Sequence, residues 1–147
     1  MPDRLRVLVD INVLLDVLAR REPHFDASAQ VWVAVETGEA DGLIAAHSIT
    51  TLHYLLARHT GAQRAASAMT DLLRVFDVAA VDRQVLLEAL AFGWRDFEDA
   101  VQMAAAVSAG ATHLITRNPT DFKGGPLPVL MPGDLLALLQ APGGALA

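Results

Sequence analysis

The chain has 147 residues, of which 53% are hydrophobic and 19% are charged, so it is long enough for one folded domain and too apolar for a disordered one. Its net charge of −6 excludes a general electrostatic attraction to nucleic acid, and the absence of cysteine excludes disulfides and thiolate metal sites. The apolar stretch after the charged start Met1–Arg6 is interrupted by Asp10 and Asp16, so we expect no signal peptide. No uncharged apolar run reaches the roughly 18 residues that a membrane span needs. We therefore expect a cytoplasmic protein without membrane contact.

Short apolar runs alternate along the chain with longer amphipathic stretches. The runs predict strands at Leu5–Val9, Gly42–Ala46, Val75–Val81, Thr112–Thr116 and Pro128–Leu130. The stretches predict helices at Ile11–Arg20, Phe25–Glu36, Ser48–His59, Ala62–Arg74, Gln84–Phe92, Asp96–Ala109 and Asp134–Gln140. Strands that alternate with helices form βαβ units, so we expect an α/β fold with a central parallel sheet and helices on both faces. A single domain is expected over residues 1–140, followed by a flexible tail at 141–147.

Acidic residues stand at the ends of predicted strands and at the start of one helix. Asp10 follows the first strand, and Asp121 follows the fourth by a short loop. Three more acids open an alanine-rich helix: Asp96, Glu98 and Asp99. The carboxyl ends of parallel strands share one edge of a sheet, where sites are built. A like-charge pair at about 4 Å costs about 1 kcal/mol in water and about 4 kcal/mol at an effective dielectric near 20. The pattern therefore favours a hard-cation site, and its oxygen ligands suit Mg²⁺ or Mn²⁺.

Helix capping is an alternative interpretation of the same acids. Asp10 stands between a strand and a helix, where aspartate is a common N-cap worth about 0.5–2 kcal/mol. Asp96 and Asp99 have the spacing of a capping box, and acids in a first turn interact favourably with the helix dipole. One or two acids would satisfy these effects, so the third one favours the metal site.

Other polar side chains near these acids are candidate supporting groups. Asn12 and Asp16 are four residues apart, on one face of the first helix. Thr116 and Asn118 precede Asp121 in a polar loop, as orienting groups or as part of an Asx-type turn. Five basic residues near the expected rim are either phosphate contacts or solvated surface: Arg20, Arg21, Arg95, Arg117 and Lys123. The five histidines show no close ligand pair, so we expect structural roles for them.

Three segments, in order, read VDINVLLDVLARREP, SITTLHYLL and DFEDAVQMAAAVSAGATHLITRNPTDF, and a fourth reads PVLMPGDLL. Together they resemble the PIN-domain family, the nuclease fold of VapC-type toxins, and specifically the subfamily with an Asp-Phe-Glu-Asp-Ala helix start. The resemblance spans most of the chain. It implies a three-layer α/β/α sandwich and a divalent-metal endoribonuclease that acts on RNA. It also implies a homodimer that a small antitoxin protein holds inactive.

The resemblance assigns roles to individual residues. The catalytic and metal-binding acids of the family fall on Asp10, Asp99 and Asp121, and Asp96 lies at a position that is often acidic in the subfamily. The family's late Thr/Asn pair falls on Thr116 and Asn118, while Asp16 and Glu98 stay supporting candidates.

The chain departs from the family in the third predicted helix. Many PIN nucleases carry a glutamate on the segment that matches Thr51–Leu55, where this chain has His53 and Tyr54 and no acid. The candidates to replace the glutamate are Asp96, Glu98 and His53. The alternative is a degenerate domain that binds RNA or protein without cleavage. A dehalogenase-type enzyme with Asp10 as nucleophile ranks lower, because Asn12 cannot act as a general acid.

Overall fold

Five parallel strands form the centre of the computed structural model, which describes residues 4–141. The strands are β1 (Arg6–Val9), β2 (Asp41–Ala45), β3 (Asp77–Ala79), β4 (His113–Ile115) and β5 (Val129–Leu130). They lie in the order β3-β2-β1-β4-β5, and every neighbouring pair is parallel. The predicted parallel sheet is confirmed. The predicted tail, apart from Ala141, lies outside the described residues.

Helices cover both faces of the sheet. Within residues 4–141 they are α1 (Ile11–Leu18), α2 (Phe25–Glu36), α3 (Ala46–Thr60), α4 (Ala62–Val75), α5 (Arg83–Ala91), α6 (Phe97–Ser108) and α7 (Pro132–Leu139). Val7 and Val9 of β1 share a buried cluster with α1, α2, α3, α4 and α7. Leu8, on the opposite face of the strand, packs with α5 and α6. A strand buried on both faces requires apolar residues in both registers, and the resulting α/β/α sandwich confirms the predicted fold class.

The helix α6 packs closely on the sheet because its inner face carries small side chains. Ala100, Ala104, Ala105 and Ala106 are all buried, as small residues against a sheet should be. Asp96 is the N-cap of α6, since its Oδ1 accepts a hydrogen bond from the backbone N–H of Asp99 at 3.0 Å. The helix therefore begins one residue after the predicted start and carries its acids in the first turn.

Several elements begin or end one or two residues from the predicted bounds, such as α3 and α7, which both begin two residues earlier than predicted. Two differences affect the sheet and the polar stretch after β4. The helix α4 continues through Val75 and the side chain of Phe76 is buried, so β3 begins only at Asp77. The polar stretch after β4, predicted as a loop, contains a 3₁₀ helix at Pro119–Phe122. Proline is favourable in a first helical turn, and Phe122, the last residue of the 3₁₀ helix, is buried. Asp121 is therefore carried on a short ordered turn.

The strand β1 lies between β2 and β4. After β1 the chain forms β2 and β3 on one side of it and then crosses to form β4 and β5 on the other side. This reversal of strand order opens a crevice at the carboxyl ends of β1 and β4. The backbone N–H of Asp10 donates to the carbonyl of Ile115 at 2.9 Å, which holds the two strand ends side by side. Within residues 4–141, no helix combines the length and the apolar character that a membrane crossing requires.

Candidate active site at the carboxyl end of the sheet

Asp10 is buried at the end of β1, and its carboxylate is held from two sides. It occupies the N-cap position of α1, but its side chain makes no capping hydrogen bond. Instead, Oδ1 accepts a hydrogen bond from Nε2 of Gln102 at 3.0 Å, and Oδ2 accepts one from Oγ1 of Thr116 at 2.8 Å. Burial raises the pKa of Asp10, and these hydrogen bonds act in the opposite direction. The backbone N–H groups of Asn12 and Ile11 also lower its pKa, so Asp10 interacts with the start of α1 as well as with α6 and the end of β4.

Thr116 connects Asp10 to the turn that carries the last acid. Its side chain is fully buried at the end of β4. While the hydroxyl donates to Asp10, its oxygen accepts a hydrogen bond from the backbone N–H of Asn118 at 3.1 Å. Asn118 is itself exposed and is the N-cap residue of the 3₁₀ helix that contains Asp121. The loop after β4 is thus tied to the carboxylate at the end of β1.

Gln102 is the residue of this site that the sequence pattern missed. It is buried in α6, and its Nε2 lies 3.5 Å from Oδ1 of Asp99 as well as 3.0 Å from Asp10. Its Oε1 is buried without a hydrogen-bond partner among residues 4–141, which costs about 1–3 kcal/mol for a typical polar group. Two signals were available in the sequence: Gln102 follows Asp99 by three residues, and it is the one polar residue in Ala100–Ala106.

Asp99 lies where partial burial and neighbouring charges act together. Its pKa is raised from 3.8 to about 7. The causes are partial burial first, then the charges of Asp96, Asp10, Asp121 and Glu98. Carboxylates that repel one another near neutral pH are typical of functional sites. They indicate that a cation or a proton belongs among these groups.

An open cleft of about 430 Å³ adjoins Asp99. Its lining consists of Trp94, Arg95, Asp96, Asp99, Thr120, Asp121 and Lys123. Three of the predicted acids and two of the predicted phosphate contacts therefore share one cleft. Asp10 is not part of the lining, because it is buried. The cleft presents acids that suit a cation and basic groups that suit an anion.

The donor atoms fit a hard divalent cation, although they do not form a closed ligand cage. No group of three or more histidine, aspartate or glutamate side chains in the described part of the chain is arranged to hold a metal ion. Asp10 and Asp99 nevertheless share one donor, Nε2 of Gln102, so both carboxylates face a common point. Carboxylate oxygens suit Mg²⁺ or Mn²⁺ better than zinc. Asp10 and Asp99 are the residues that would hold the cation, beside Asp96 and Asp121 in the cleft.

Asp16 belongs to a separate, buried ion-pair network. Its Oδ1 accepts a hydrogen bond from Nε of Arg21 at 3.1 Å. Its Oδ2 accepts one from the hydroxyl of Ser28 at 3.2 Å and lies 2.6 Å from Nε of Arg117. The N–H of Arg117 does not point along that line, so this contact is an ion pair and not a hydrogen bond. Asp16 therefore positions two arginines and does not line the acidic cleft.

Two further candidates also have structural partners outside the cleft lining. The Oδ1 atom of Asn12 accepts a hydrogen bond from Nη2 of Arg21 at 3.3 Å, which connects Asn12 to the network of Asp16. The guanidinium of Arg20 lies 5.4 Å from the centre of a phenylalanine ring in a cation–π contact. Of the five basic candidates, Arg95 and Lys123 are the two that line the cleft.

The third helix carries no acid at the position where many PIN nucleases have one. Tyr54 is exposed there, and its ring lies 5.7 Å below the guanidinium of Arg58. Among the three candidates to replace the glutamate, Asp96 lines the cleft, whereas Glu98 and His53 do not. The contact between α3 and α6 is made by His47, whose Nε2 lies 3.2 Å from the carbonyl oxygen of Glu98.

Comparisons with known proteins agree with this geometry. The family model of the PIN domain matches residues 6–120, and no curated protein matches the chain in sequence. Solved structures with the same fold include the Mycobacterium tuberculosis toxin VapC20, at 16% identity and a TM-score of 0.66 over 81% of this chain and 95% of that one. A toxin–antitoxin complex from Klebsiella pneumoniae gives 23% identity and a TM-score of 0.65 over 86% and 97% of the two chains. VapBC2 from Rickettsia felis, bound to promoter DNA, has 14% identity and a TM-score of 0.67, over 86% of this chain and 98% of that one. The match over most of its length places this chain in the PIN-domain family.

Proposed function

We propose that this PIN domain is a divalent-metal-dependent endoribonuclease and the toxin of a toxin–antitoxin pair. The observation that carries the proposal is the crowding of acids around Asp99, whose pKa reaches about 7 through partial burial and the charges of its acidic neighbours. A fold gathers like charges at such a cost when a cation compensates them. The cleft beside Asp99 also contains Arg95 and Lys123, which suit the phosphates of an anionic substrate.

Each side chain then has a distinct task. Asp10 and Asp99 hold the cation, with Asp96 and Asp121 adding negative charge in the cleft. A divalent cation, when bound, supplies Lewis-acid activation of water and neutralises charge at a scissile phosphate. Thr116 and Gln102 fix the Asp10 carboxylate through hydrogen bonds of 2.8 and 3.0 Å.

The basic groups divide into two sets. Arg95 and Lys123 lie within the cleft and contact the RNA backbone near the acids. Arg21 and Arg117 are held by the buried carboxylate of Asp16, with 39% and 19% of their side chains exposed. One carboxylate neutralises one of these two charges, so a positive charge is left to attract phosphate at the end of β4. Arg20 is a weaker candidate because it already stacks on an aromatic ring.

The structural neighbours support the choice of partners. The Mycobacterium tuberculosis protein is described as a toxin that cleaves the sarcin–ricin loop, which supports RNA as the substrate. The Klebsiella pneumoniae structure is a toxin–antitoxin complex, which supports an antitoxin protein as a partner. A homodimer is the expected assembly, and light scattering on the purified protein measures it.

Cleavage of RNA by the purified protein tests the proposal. We expect cleavage with Mg²⁺ or Mn²⁺, none after chelation, and a large loss in an Asp99→Asn variant. Asp26→Asn is the matched control, because Asp26 is an exposed first-turn acid of α2, a helix of 12 residues like α6. Equal cleavage by the wild type and Asp99→Asn would reveal a contaminant. No cleavage across RNAs of varied sequence and structure would refute the assignment.

A degenerate PIN domain that binds RNA or protein without cleavage is the second candidate. Two observations favour it: the described residues contain no closed group of three metal-binding side chains, and the segment Thr51–Leu55, where many family members have glutamate, contains no acid. Calorimetric titration with Mn²⁺ separates the two candidates, because a degenerate site should show no binding at millimolar metal. Binding in the micromolar range would leave the nuclease as the better explanation.

A further inference from the structure

Gln102 is an unusual residue for its place in the fold. All seven residues of Ala100–Ala106 are buried, and the other six are apolar. An amide on such a face carries a desolvation cost unless hydrogen bonds offset it. Methionine or leucine would fill a similar volume in a helix without that cost. The presence of an amide therefore requires an explanation beyond packing.

The nitrogen and the oxygen of the Gln102 amide differ in their hydrogen bonding. Nε2 donates to Oδ1 of Asp10 at 3.0 Å and lies 3.5 Å from Oδ1 of Asp99, whereas Oε1 has no partner among residues 4–141. The opposite rotation of the amide would place Oε1 against both carboxylates, where it would be repelled. The side chain is thus oriented by the two acids, at the expense of an unpaired oxygen.

Gln102 also supplies a hydrogen-bond donor to the carboxylate of Asp99. The second carboxylate oxygen of Asp10 is fixed independently by Thr116. For Asp99, the amide of Gln102 is the one hydrogen-bond donor to its carboxylate that the described residues provide. A neutral donor between two acids orders them without neutralising their charge, so their attraction for a cation is retained.

We propose that Gln102 is the positioning residue of the metal site: its amide nitrogen holds the carboxylates of Asp10 and Asp99 toward one another, so that they are arranged for a divalent cation before it binds. The inference rests on the proposed metal-dependent function. Residues that orient metal ligands commonly change metal affinity by about 10–100-fold when they are replaced.

The experiment measures Mn²⁺ affinity by calorimetry in two variants and the rise in melting temperature caused by Mn²⁺ in a third. Gln102→Met keeps the length and removes the donor, and we expect it to bind Mn²⁺ about 10-fold or more weakly. Gln84→Met is the matched control, because Gln84 is an exposed helical glutamine whose Nε2 donates to Glu88 at 3.1 Å; we expect unchanged affinity. Gln102→Glu places a third carboxylate between two others, so Mn²⁺ should raise its melting temperature more than that of the wild type. The melting temperatures in chelator show which variants are folded.

The results separate this inference from the proposed function. Wild-type affinity in Gln102→Met, or an equal rise in melting temperature for Gln102→Glu and the wild type, would overturn the role of Gln102. A wild type that binds no Mn²⁺ would overturn it as well. Weakened Mn²⁺ binding in Gln102→Met, with no RNA cleavage by the wild type, would uphold the role of Gln102 and reject the nuclease.

Discussion

The substitution Asp99→Asn tests the repulsion within the acidic cleft through protein stability. The folded-state pKa of Asp99 is about 7, against an ordinary value of 3.8 for aspartate. Below about pH 3.8 the carboxyl is neutral in both the folded and the unfolded chain, so it carries no penalty. As the pH rises toward 7, the unfolded chain gains stability by ionising first, and the free energy of unfolding falls. Above pH 7 the wild type carries the full penalty, which asparagine removes.

The magnitude follows from the same pKa values. At about 1.4 kcal/mol per pH unit, a rise from 3.8 to about 7 corresponds to about 4 kcal/mol. Solvent screening roughly halves this value because the carboxyl is partly exposed. The variant also loses the favourable interaction of a negative charge with the helix dipole, which reduces the gain by about 0.5 kcal/mol. The variant should therefore be more stable by about 1.5 kcal/mol above pH 7, or about 3–6 °C in melting temperature.

Thermal denaturation in chelator, at several values between about pH 4 and pH 8, is the assay. We expect the two proteins to differ little near pH 4 and to diverge as the pH rises to 7. The Asp26→Asn control should instead lose a few tenths of a kcal/mol at neutral pH, because it removes only a helix-dipole interaction. If Asp99→Asn is no more stable than the wild type at pH 8, or is equally stabilised at both ends of the range, the argument from charge crowding is refuted.

Three further substitutions test other parts of the structure by urea denaturation at neutral pH. Asp16→Asn should lower the free energy of unfolding by about 3–5 kcal/mol, because it leaves two arginines beside a buried neutral group. The control Asp71→Asn, in an exposed ion pair, should lower it by about 0–1 kcal/mol. Equal losses of stability in the two variants would contradict the buried network. Gly42→Ala should lower the free energy of unfolding by about 1–3 kcal/mol, because the added Cβ would lie 2.6 Å from the Val35 side chain. At Gly133 an added Cβ has no neighbour within 4 Å, so the control Gly133→Ala should stabilise α7 by about 0.5–1 kcal/mol. Thr116→Val should cost about 1–3 kcal/mol through the lost donor to Asp10, and Thr116→Ser, which keeps the hydroxyl, should recover most of it.

The central strands were predictable because short apolar runs are typical of strands that are buried on both faces. A nearly continuous apolar run such as Leu5–Val9 favours burial on both faces, which fits the position of β1 in the middle of the sheet. The boundary near Val75 was not predictable, since apolar residues suit the end of α4 and a strand equally well. The burial of Phe76 decides between them, and this burial depends on tertiary contacts.

The candidate site was predictable in part for a similar reason. Charge at a strand end pointed to Asp10. Three acids at one helix start pointed to Asp96, Glu98 and Asp99 together, and the family resemblance selected Asp99 among them. Gln102 was missed because an amide in an alanine-rich helix also suits an exposed surface. The four-residue spacing of Asn12 and Asp16 defined a shared face, but it could not show whether that face meets the cleft or the arginine network.

The bonds around Asp10 join parts of the chain that are far apart in sequence. Its two side-chain donors, Gln102 and Thr116, follow it by 92 and 106 residues. During synthesis, a chain that has not yet reached Gln102 in α6 carries the first carboxylate without either of its anchors, and one that has not passed β4 still lacks Thr116. The site is therefore assembled only when the central sheet closes around β1, so that incomplete or locally unfolded chains lack an ordered centre. The proposed nuclease site is in this way tied to completion of the fold.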